Sequence, residues 1–300
     1  MAAEVIQPRR VLITGASGFI GRHLTSYLLQ RGITVRTLSR RGMPSPDHVT
    51  ADILEDLTRY AADCDCIVHL AGLSDASASF ERPLDFARVN ILGTLNVLQV
   101  ARYTGAAVVL ASTQRVYRPS VRPITEDAPL GPVDPYGQSK LGAEQWTDLY
   151  TRLYQFPATI LRLFSVYGPG QTVGKSSGVV GILLRAAREG QPLRVRARQV
   201  RDFIDVRDVI RAFELAILRR PDRIAVYNVG TGRPTPIAEL GELIREIVGI
   251  AVPIIVDLTP GAESYVADTR RAAAELGFEA QIDLRDGLIW YNQRFEAHAP

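Results

Sequence analysis

The segment Tyr136-Gly137-Gln138-Ser139-Lys140 carries the clearest chemistry in the sequence. Residues four apart share one face of a helix, so the phenol and the ammonium would sit together. A free phenol titrates near ~10 and is a poor base at neutral pH. A fixed cation beside it favours the phenolate, and bringing it down by about 3 pH units requires about 4 kcal/mol of differential interaction. Such a group takes a proton from an alcohol, or returns one to a ketone, as a hydride moves. Of the 35 basic residues only Lys140 and Lys175 are lysines, which makes a chance pairing at this spacing improbable.

The hydride carrier has its own signature. Thr14-Gly15-Ala16-Ser17-Gly18-Phe19-Ile20-Gly21 lies between an apolar strand and the first helix pattern. Glycines there allow a tight turn and close approach of backbone to a pyrophosphate at the positive end of the helix. Lys140 would also hold the ribose hydroxyls of a nicotinamide dinucleotide. At the end of the second strand Ser39 is followed by Arg40 and Arg41, with no carboxylate to repel a 2′-phosphate. That turn predicts a preference for NADP(H), with NAD(H) possible. Gly174-Lys175-Ser176 invites a phosphate-loop reading, but Pro169 stands where the partner glycine belongs, so Lys175 is assigned to a loop covering the substrate.

These residues need a frame. Arg10–Thr14, Ile33–Leu38, Cys66–Leu70, Ala107–Ala111 and Thr159–Phe164 are short apolar, strand-like runs, alternating with helical patterns at Phe19–Gln30, Phe86–Tyr103 and Tyr136–Tyr154. The alternation predicts an α/β fold, a Rossmann-type doubly wound parallel sheet, over residues 1–168. After Gly168-Pro169-Gly170 the elements shorten, Ala225–Val229 among them. This predicts a smaller C-terminal α/β substrate lobe over 169–300, with a stretch around 202–222 returning to the first domain. Arg194–Arg201 reads as a solvated strand, or as a phosphate-facing one. With 46% apolar and 22% charged residues among 300, the chain is neither disordered nor fibrous. No apolar run suggests a membrane span, and a net charge of +3 does not suggest nucleic acid. Cys64 and Cys66 are too close for an ordinary disulfide and too few for zinc, so no metal is expected. A cytoplasmic location follows as the default.

The GxxGxxG spacing with Phe19-Ile20 inside it, and the Tyr-Lys pair, resemble the extended short-chain dehydrogenase/reductase family, in its nucleotide-sugar epimerase, dehydratase and reductase branch. The resemblance implies further residues. Asp52-Ile53 is similar to an adenine-contacting pair, Leu70-Ala71-Gly72 to the segment beside the cofactor, and Asn90 to a structural asparagine. Ala111-Ser112-Thr113-Gln114-Arg115-Val116-Tyr117 is similar to the segment whose hydroxyl, three before Val-Tyr, binds the reacting oxygen. That hydroxyl is Thr113, and Ser112 would face the other way. Arg162-Leu163-Phe164-Ser165-Val166-Tyr167-Gly168-Pro169-Gly170-Gln171 resembles the passage into the substrate lobe, with Val166 toward the cofactor and Ser165 in place of a sugar-contacting asparagine. Arg201, before Asp202-Phe203-Ile204-Asp205-Val206, matches a pyrophosphate clamp; a structural ion pair with Asp202 or Asp205 is the alternative.

Departures from the family narrow the chemistry. Dehydratases carry Asp-Glu after the hydroxyl residue, whereas this chain has Gln114 and Arg115 there, placed to face substrate. Arg115 also stands where the double epimerases have cysteine. The implied activity is hydride transfer alone: first an NADPH-dependent 4-ketoreductase of a nucleotide-linked keto-deoxysugar, alternatively a 4-epimerase with tightly bound NAD(P). A reductase of a non-sugar ketone and a non-catalytic NADP sensor come behind. The resemblance also implies a homodimer through the helices at Phe86–Tyr103 and Tyr136–Tyr154.

Overall fold

The computed structural model describes residues 8–120, 122–171, 178–258 and 264–295. Its strands are β1 (Val11–Thr14), β2 (Val35–Ser39), β3 (His48–Thr50), β4 (Cys66–His69), β5 (Ala107–Thr113), β6 (Ala158–Leu163), β7 (Ser165–Tyr167), β8 (Leu193–Arg196), β9 (Val200–Arg201), β10 (Phe203–Asp205), β11 (Ile224–Val229), β12 (Thr235–Pro236) and β13 (Ile254–Asp257). Its α-helices are α1 (Phe19–Gln30), α2 (Thr58–Ala61), α3 (Ala76–Glu81), α4 (Pro83–Ala87), α5 (Gly93–Thr104), α6 (Pro135–Tyr154), α7 (Val179–Arg188), α8 (Val206–Leu218), α9 (Ile237–Val248) and α10 (Leu284–Gln293).

Seven strands form one parallel sheet in the order β11-β6-β5-β4-β1-β2-β3. Side chains alternate across it. Val11 and Ile13, Cys66 and Val68, Val109 and Leu161 join the core shared with Leu24 and Leu28 of α1 and Val209 and Phe213 of α8. Leu12, Ile67 and Val108 face Val97, Leu98 and Ala101 of α5. Burial on both faces explains why these strands read as unbroken apolar runs. The strand order reverses beside β1, between β4 and β2, opening a crevice at the carboxyl ends of the strands where α/β proteins bind ligands.

The chain returns to this sheet further than its rhythm suggests. β11 pairs with β6 over Ile224–Val229, so Ala225–Val229 belongs to the main sheet rather than to the lobe. A second core holds Leu183 and Leu184 of α7, Val195 of β8, Leu240 and Ile244 of α9, and Leu288 and Tyr291 of α10. Within Arg194–Arg201 only Leu193–Arg196 and Val200–Arg201 are strand. Arg194 and Arg196 point to solvent while Val195 is buried, which is the solvated reading.

The long helix expected over Phe86–Tyr103 is broken. α4 ends at Ala87 and a π-helical turn, Arg88–Leu92, precedes α5. Asn90 explains the break. Its Oδ1 accepts from the Leu73 amide at 2.8 Å, and its Nδ2 donates to the Leu73 carbonyl at 3.0 Å and to Ser139 Oγ at 2.8 Å. A side chain fixed by two hydrogen bonds to a passing loop and one to α6 outweighs regular helix pairing, and π-turns concentrate at functional sites. No helix among the described residues is long and apolar enough to cross a membrane.

Candidate active site

The site assembles from strand ends. Thr14 ends β1 beside Leu38 of β2 and His69 of β4 in register, and Thr113 ends β5 beside Leu163 of β6. Gly15 follows β1 at φ 72°, and a Cβ there would stand 2.5 Å from the Ala71 nitrogen. At Gly21 a Cβ would meet the Gly15 carbonyl oxygen at 2.3 Å. Both positions therefore require glycine, which lets α1 seat directly on the turn. Gly18 is the N-cap of α1 and supplies no side chain to the helix amides, and the first turn holds no acidic residue. Ser17 lies half-buried in the same turn, ahead of these amides. That open helix end suits a pyrophosphate.

Around it, Phe19 and Ile20 pack against the core of α1 and α8, and the Phe19 ring meets His23 edge-on at 5.7 Å. Ser39 is buried and donates to the Arg41 carbonyl at 2.7 Å, fixing the turn that exposes Arg40 and Arg41. Asp52 accepts from the Leu54 amide at 3.0 Å, while Ile53 is buried where Gly93 leaves room for it. Leu70 and Ala71 are tied to Thr14, with Leu70 N donating to its carbonyl at 3.1 Å and Ala71 N to its Oγ1 at 3.3 Å. Gly72 lies against Asn90 Oδ1.

Thr113 and Ser112 point to opposite sides. Thr113 acts on the Tyr136 phenol and lowers its pKa, whereas Ser112 donates to Glu144 in the buried layer behind. The strand alternation therefore selects Thr113. Tyr136 sits in the first turn of α6, whose N-cap Asp134 accepts from Gly137 N at 2.7 Å and is followed by Pro135. The Phe86 ring meets the Tyr136 ring edge-on at 6.2 Å. Burial pushes the phenol up, the Thr113 hydrogen bond and the Arg115 cation pull it down, and Asp134 opposes them.

Lys140 is buried and makes no hydrogen bond to a described residue. Burial lowers its amine to about 8, with Glu144 working the other way. An ammonium held in the interior without a partner fits a cofactor hydroxyl. Gly15, Gly18 and Lys140 thus fit a nicotinamide dinucleotide, which would supply hydride chemistry. The Arg115 cation acts on Tyr136, and the Lys140 cation acts on His69.

His69 was missed in the sequence. Thr94 Oγ1 gives its proton to the Asn90 carbonyl at 2.6 Å, so it accepts from His69 Nε2 at 3.0 Å. His69 Nδ1 then accepts from Thr14 Oγ1 at 2.8 Å. Burial, with Lys140 second, drives this imidazole down to about 3, so it is neutral. A chain of hydrogen bonds thereby runs from Thr14 through His69, Thr94, Asn90 and Ser139 to the Tyr136 carbonyl, which Ser139 Oγ reaches at 2.8 Å. Only an apolar strand ending in a polar residue hinted at it.

On the substrate side Gln114 is buried and its Nε2 donates to Ser165 Oγ at 3.3 Å, joining two of the expected residues. Its Oε1 is buried with no partner among the described residues. Arg115 Nη1 pairs with Asp134 Oδ2 at 2.5 Å, which places it at the base of α6. β10 pairs with β7, setting Phe203 against Ser165 and Ile204 against Val166, so Arg201 arrives two residues before the Ser165 partner. Its guanidinium lies 5.0 Å from the Tyr265 ring centre. Asp202 accepts from Thr231, Gly232 and Ala267, and Asp205 is paired with Arg207. Lys175 and the rest of 172–177 lie outside the described residues. Among the described residues no cluster could hold a metal ion, and Cys64 and Cys66 are buried free thiols pushed up to about 12 by burial.

Comparison with known proteins agrees with this geometry. The NAD dependent epimerase/dehydratase family model matches residues 11–230, and the chain belongs to that family. It is 32% identical over 305 residues to a UDP-glucose 4-epimerase of Mycolicibacterium smegmatis, covering 93% of this chain and 96% of the relative. A GDP-6-deoxy-D-mannose reductase of Pseudomonas aeruginosa is 33% identical over 299 residues, covering 93% and 95%. The structure of MoeE5 in complex with UDP-glucose and NAD superposes with a TM-score of 0.88 at 32% identity, covering 95% of this chain and 97% of that one. The resemblance to the extended short-chain family and the doubly wound fold are both borne out.

Proposed function

We propose that the protein is a nucleotide-sugar 4-epimerase that keeps its nicotinamide dinucleotide through both half-reactions. The observation that carries the reading is the Thr113 hydroxyl acting on the Tyr136 phenol, with Gln114 and Arg115, rather than carboxylates, following it. This equips the site for hydride and proton traffic but not for elimination of water. Tyr136, as phenolate, withdraws the proton of the sugar 4-hydroxyl while the Thr113 hydroxyl holds the same oxygen. A nicotinamide dinucleotide held by the Gly15–Gly18 turn and Lys140 would supply the hydride chemistry at C4. Tyr136 then restores the proton, and Lys140 holds the ribose hydroxyls. Gln114 Oε1 takes a sugar hydroxyl, Ser165 orients Gln114, and Arg201 on the lobe side, residues 169–300 less the returning segments, holds the diphosphate.

The 4-epimerase reading stands ahead of the ketoreductase because relatives named as UDP-glucose 4-epimerases share nearly the full length. It is tested by incubating the purified protein with UDP-glucose or UDP-galactose and no added cofactor. Interconversion with one equivalent of dinucleotide released on denaturation is the expected result. A requirement for stoichiometric NADPH and a keto-sugar would instead establish the ketoreductase.

The turn after β2 bears on the cofactor in both readings. Arg40 and Arg41 stand exposed at the end of β2 with no ion pair among the described residues, in the place a 2′-phosphate would occupy. They support a preference for NADP(H) in either reading. Equal Kd values for NADP and NAD would remove it.

A homodimer is proposed on the outer face of α5 and α6. Phe86 and Val97 are buried within the subunit, but Leu92 just before α5, Tyr103 on α5, and Trp146 and Leu153 on α6 are exposed. A monomer in sedimentation at micromolar concentration would remove it. Two buried, free thiols suit the reducing cytoplasm.

A further inference from the structure

Two glutamine carboxamides hang from β7, the short strand that follows β6 at the passage into the lobe. Gln114, the residue after Thr113, is 7% exposed and donates from Nε2 to Ser165 Oγ at 3.3 Å. Gln171 repeats the arrangement one residue along, donating from Nε2 to the Val166 carbonyl at 3.3 Å. A backbone carbonyl can only accept, so the orientation of the Gln171 carboxamide is fixed. Each side chain spends a donor on β7, and each leaves its Oε1 buried with no partner among the described residues. A buried acceptor without a donor is costly, and a ligand that brings the donor relieves that cost.

The charges nearby point the same way. Arg115 is tied to Asp134, Arg162 to Glu144 and Arg207 to Asp205, so these cations already have their anions within the chain. The unpaired groups beside β7 are carbonyl oxygens, which a hydroxyl satisfies. An ionised carboxylate only accepts, so its oxygens would repel them.

We propose that Gln114, steadied by Ser165, is a specificity-determining residue that selects a sugar with a neutral hydroxymethyl on C5 over one with a carboxylate there. The inference rests on the 4-epimerase reading, in which Thr113 holds the oxygen on C4. Consecutive Cα atoms are about 3.8 Å apart, so the Gln114 carboxamide reaches substituents flanking C4 rather than the anomeric end that carries the diphosphate. Of those substituents, the one on C5 is where a hexose, a uronate and a pentose differ.

The test compares UDP-glucose, UDP-glucuronate and UDP-xylose, which present a hydroxymethyl, a carboxylate and a hydrogen at that position. Binding to the dinucleotide-loaded protein is measured by calorimetry, and turnover separately by formation of the 4-epimer. Wild type is expected to favour UDP-glucose over UDP-glucuronate by about 10²-fold in kcat/KM, and over UDP-xylose by about 10-fold. Gln114→Met keeps the length and removes the acceptor. It should weaken UDP-glucose by about 10-fold and UDP-xylose far less, which brings their ratio near one. Ser165→Ala should move that ratio the same way by about threefold. A merely structural lesion would weaken all three sugars alike.

Equal losses on all three sugars, or an unchanged glucose-to-xylose ratio in Gln114→Met, overturn the inference and leave the 4-epimerase reading standing. UDP-glucuronate used as well as UDP-glucose by wild type also overturns it, since Gln114 would then present nitrogen to the sugar. Failure of every UDP-sugar to bind or react removes the 4-epimerase reading itself, and the inference with it.

Discussion

On α6, Lys140 and Glu144 lie one turn apart and are both buried, at 7% and 4% exposure, yet their charges are treated in different ways. Glu144 is saturated. Its carboxylate takes Arg162 Nη2 at 2.7 Å and Nε at 3.1 and 3.2 Å, and the Ser112 hydroxyl as well. Arg162 Nη1 goes on to Tyr117 Oη at 2.8 Å and the Glu126 carbonyl at 3.0 Å, and Tyr117 donates to Asn228 Oδ1 at 2.7 Å. This cluster ties β5, β6, α6 and β11 together beneath the site. Lys140, facing the crevice, has a desolvated charge and no such partner. One region spends its hydrogen bonds on the frame and the other withholds them for a ligand.

Substitutions can test that division, and Tyr136→Phe should show the largest effect. It removes one hydroxyl from the unsaturated side and should lower kcat by about 10³-fold, within the range for a lost general acid–base. Urea unfolding should change by less than about 1 kcal/mol, the scale of the single Thr113 hydrogen bond. Glu144→Gln attacks the other side. It strands the Arg162 cation in the interior, at a cost of about 3–5 kcal/mol in urea. If that variant were as stable as the wild type, the saturated cluster would not be holding the frame.

Lys140→Met tests the withheld partner by a change of sign. The amine titrates at about 8 in the fold against 10.5 for the unfolded chain, so the fold disfavours its charged form. Below pH 8 that cost is fully present. Between 8 and 10.5 the unfolded chain keeps a proton the fold has released, so the stability of wild type rises with pH. Cofactor-free Lys140→Met should therefore be inactive but more stable at pH 7, by up to about 3 kcal/mol, with the gain fading by pH 10.5. Equal destabilisation at both pH values would mean that Lys140 has a partner in the frame after all.

The readable features were those written in adjacent residues. The strand and helix alternation, the glycine turn at Gly15, Gly18 and Gly21, and the Tyr136–Lys140 spacing depend on local periodicity, and each lies where its pattern placed it. The unread ones depend on groups far apart in the chain. Asn90 breaks a helix because Leu73 and Ser139 come to it, and no helical periodicity carries that information. β11 rejoins the sheet after an excursion through the lobe, so a short strand among Pro- and Gly-flanked neighbours could not be told from theirs. The resemblance to the family segment after Thr113 places Arg115 toward substrate. Its tie to Asp134 spans 19 residues and appears only once α6 has docked.

The finest division falls between neighbours on β5. Ser112 and Thr113 have similar hydroxyls, and strand alternation sends one into the Glu144 cluster and the other to Tyr136. Ser112→Ala should leave turnover within about twofold while lowering stability by about 1–2 kcal/mol, as expected for a lost hydrogen bond to a buried carboxylate. Thr113→Val keeps the volume and β-preference but removes the contact with the reacting oxygen. It should lower kcat by about 10²-fold with KM little changed, since that hydrogen bond strengthens as charge develops on the oxygen. Exchange of the two outcomes would place the reacting oxygen on the Ser112 side, and with it reverse which face of β5 belongs to the frame and which to the chemistry.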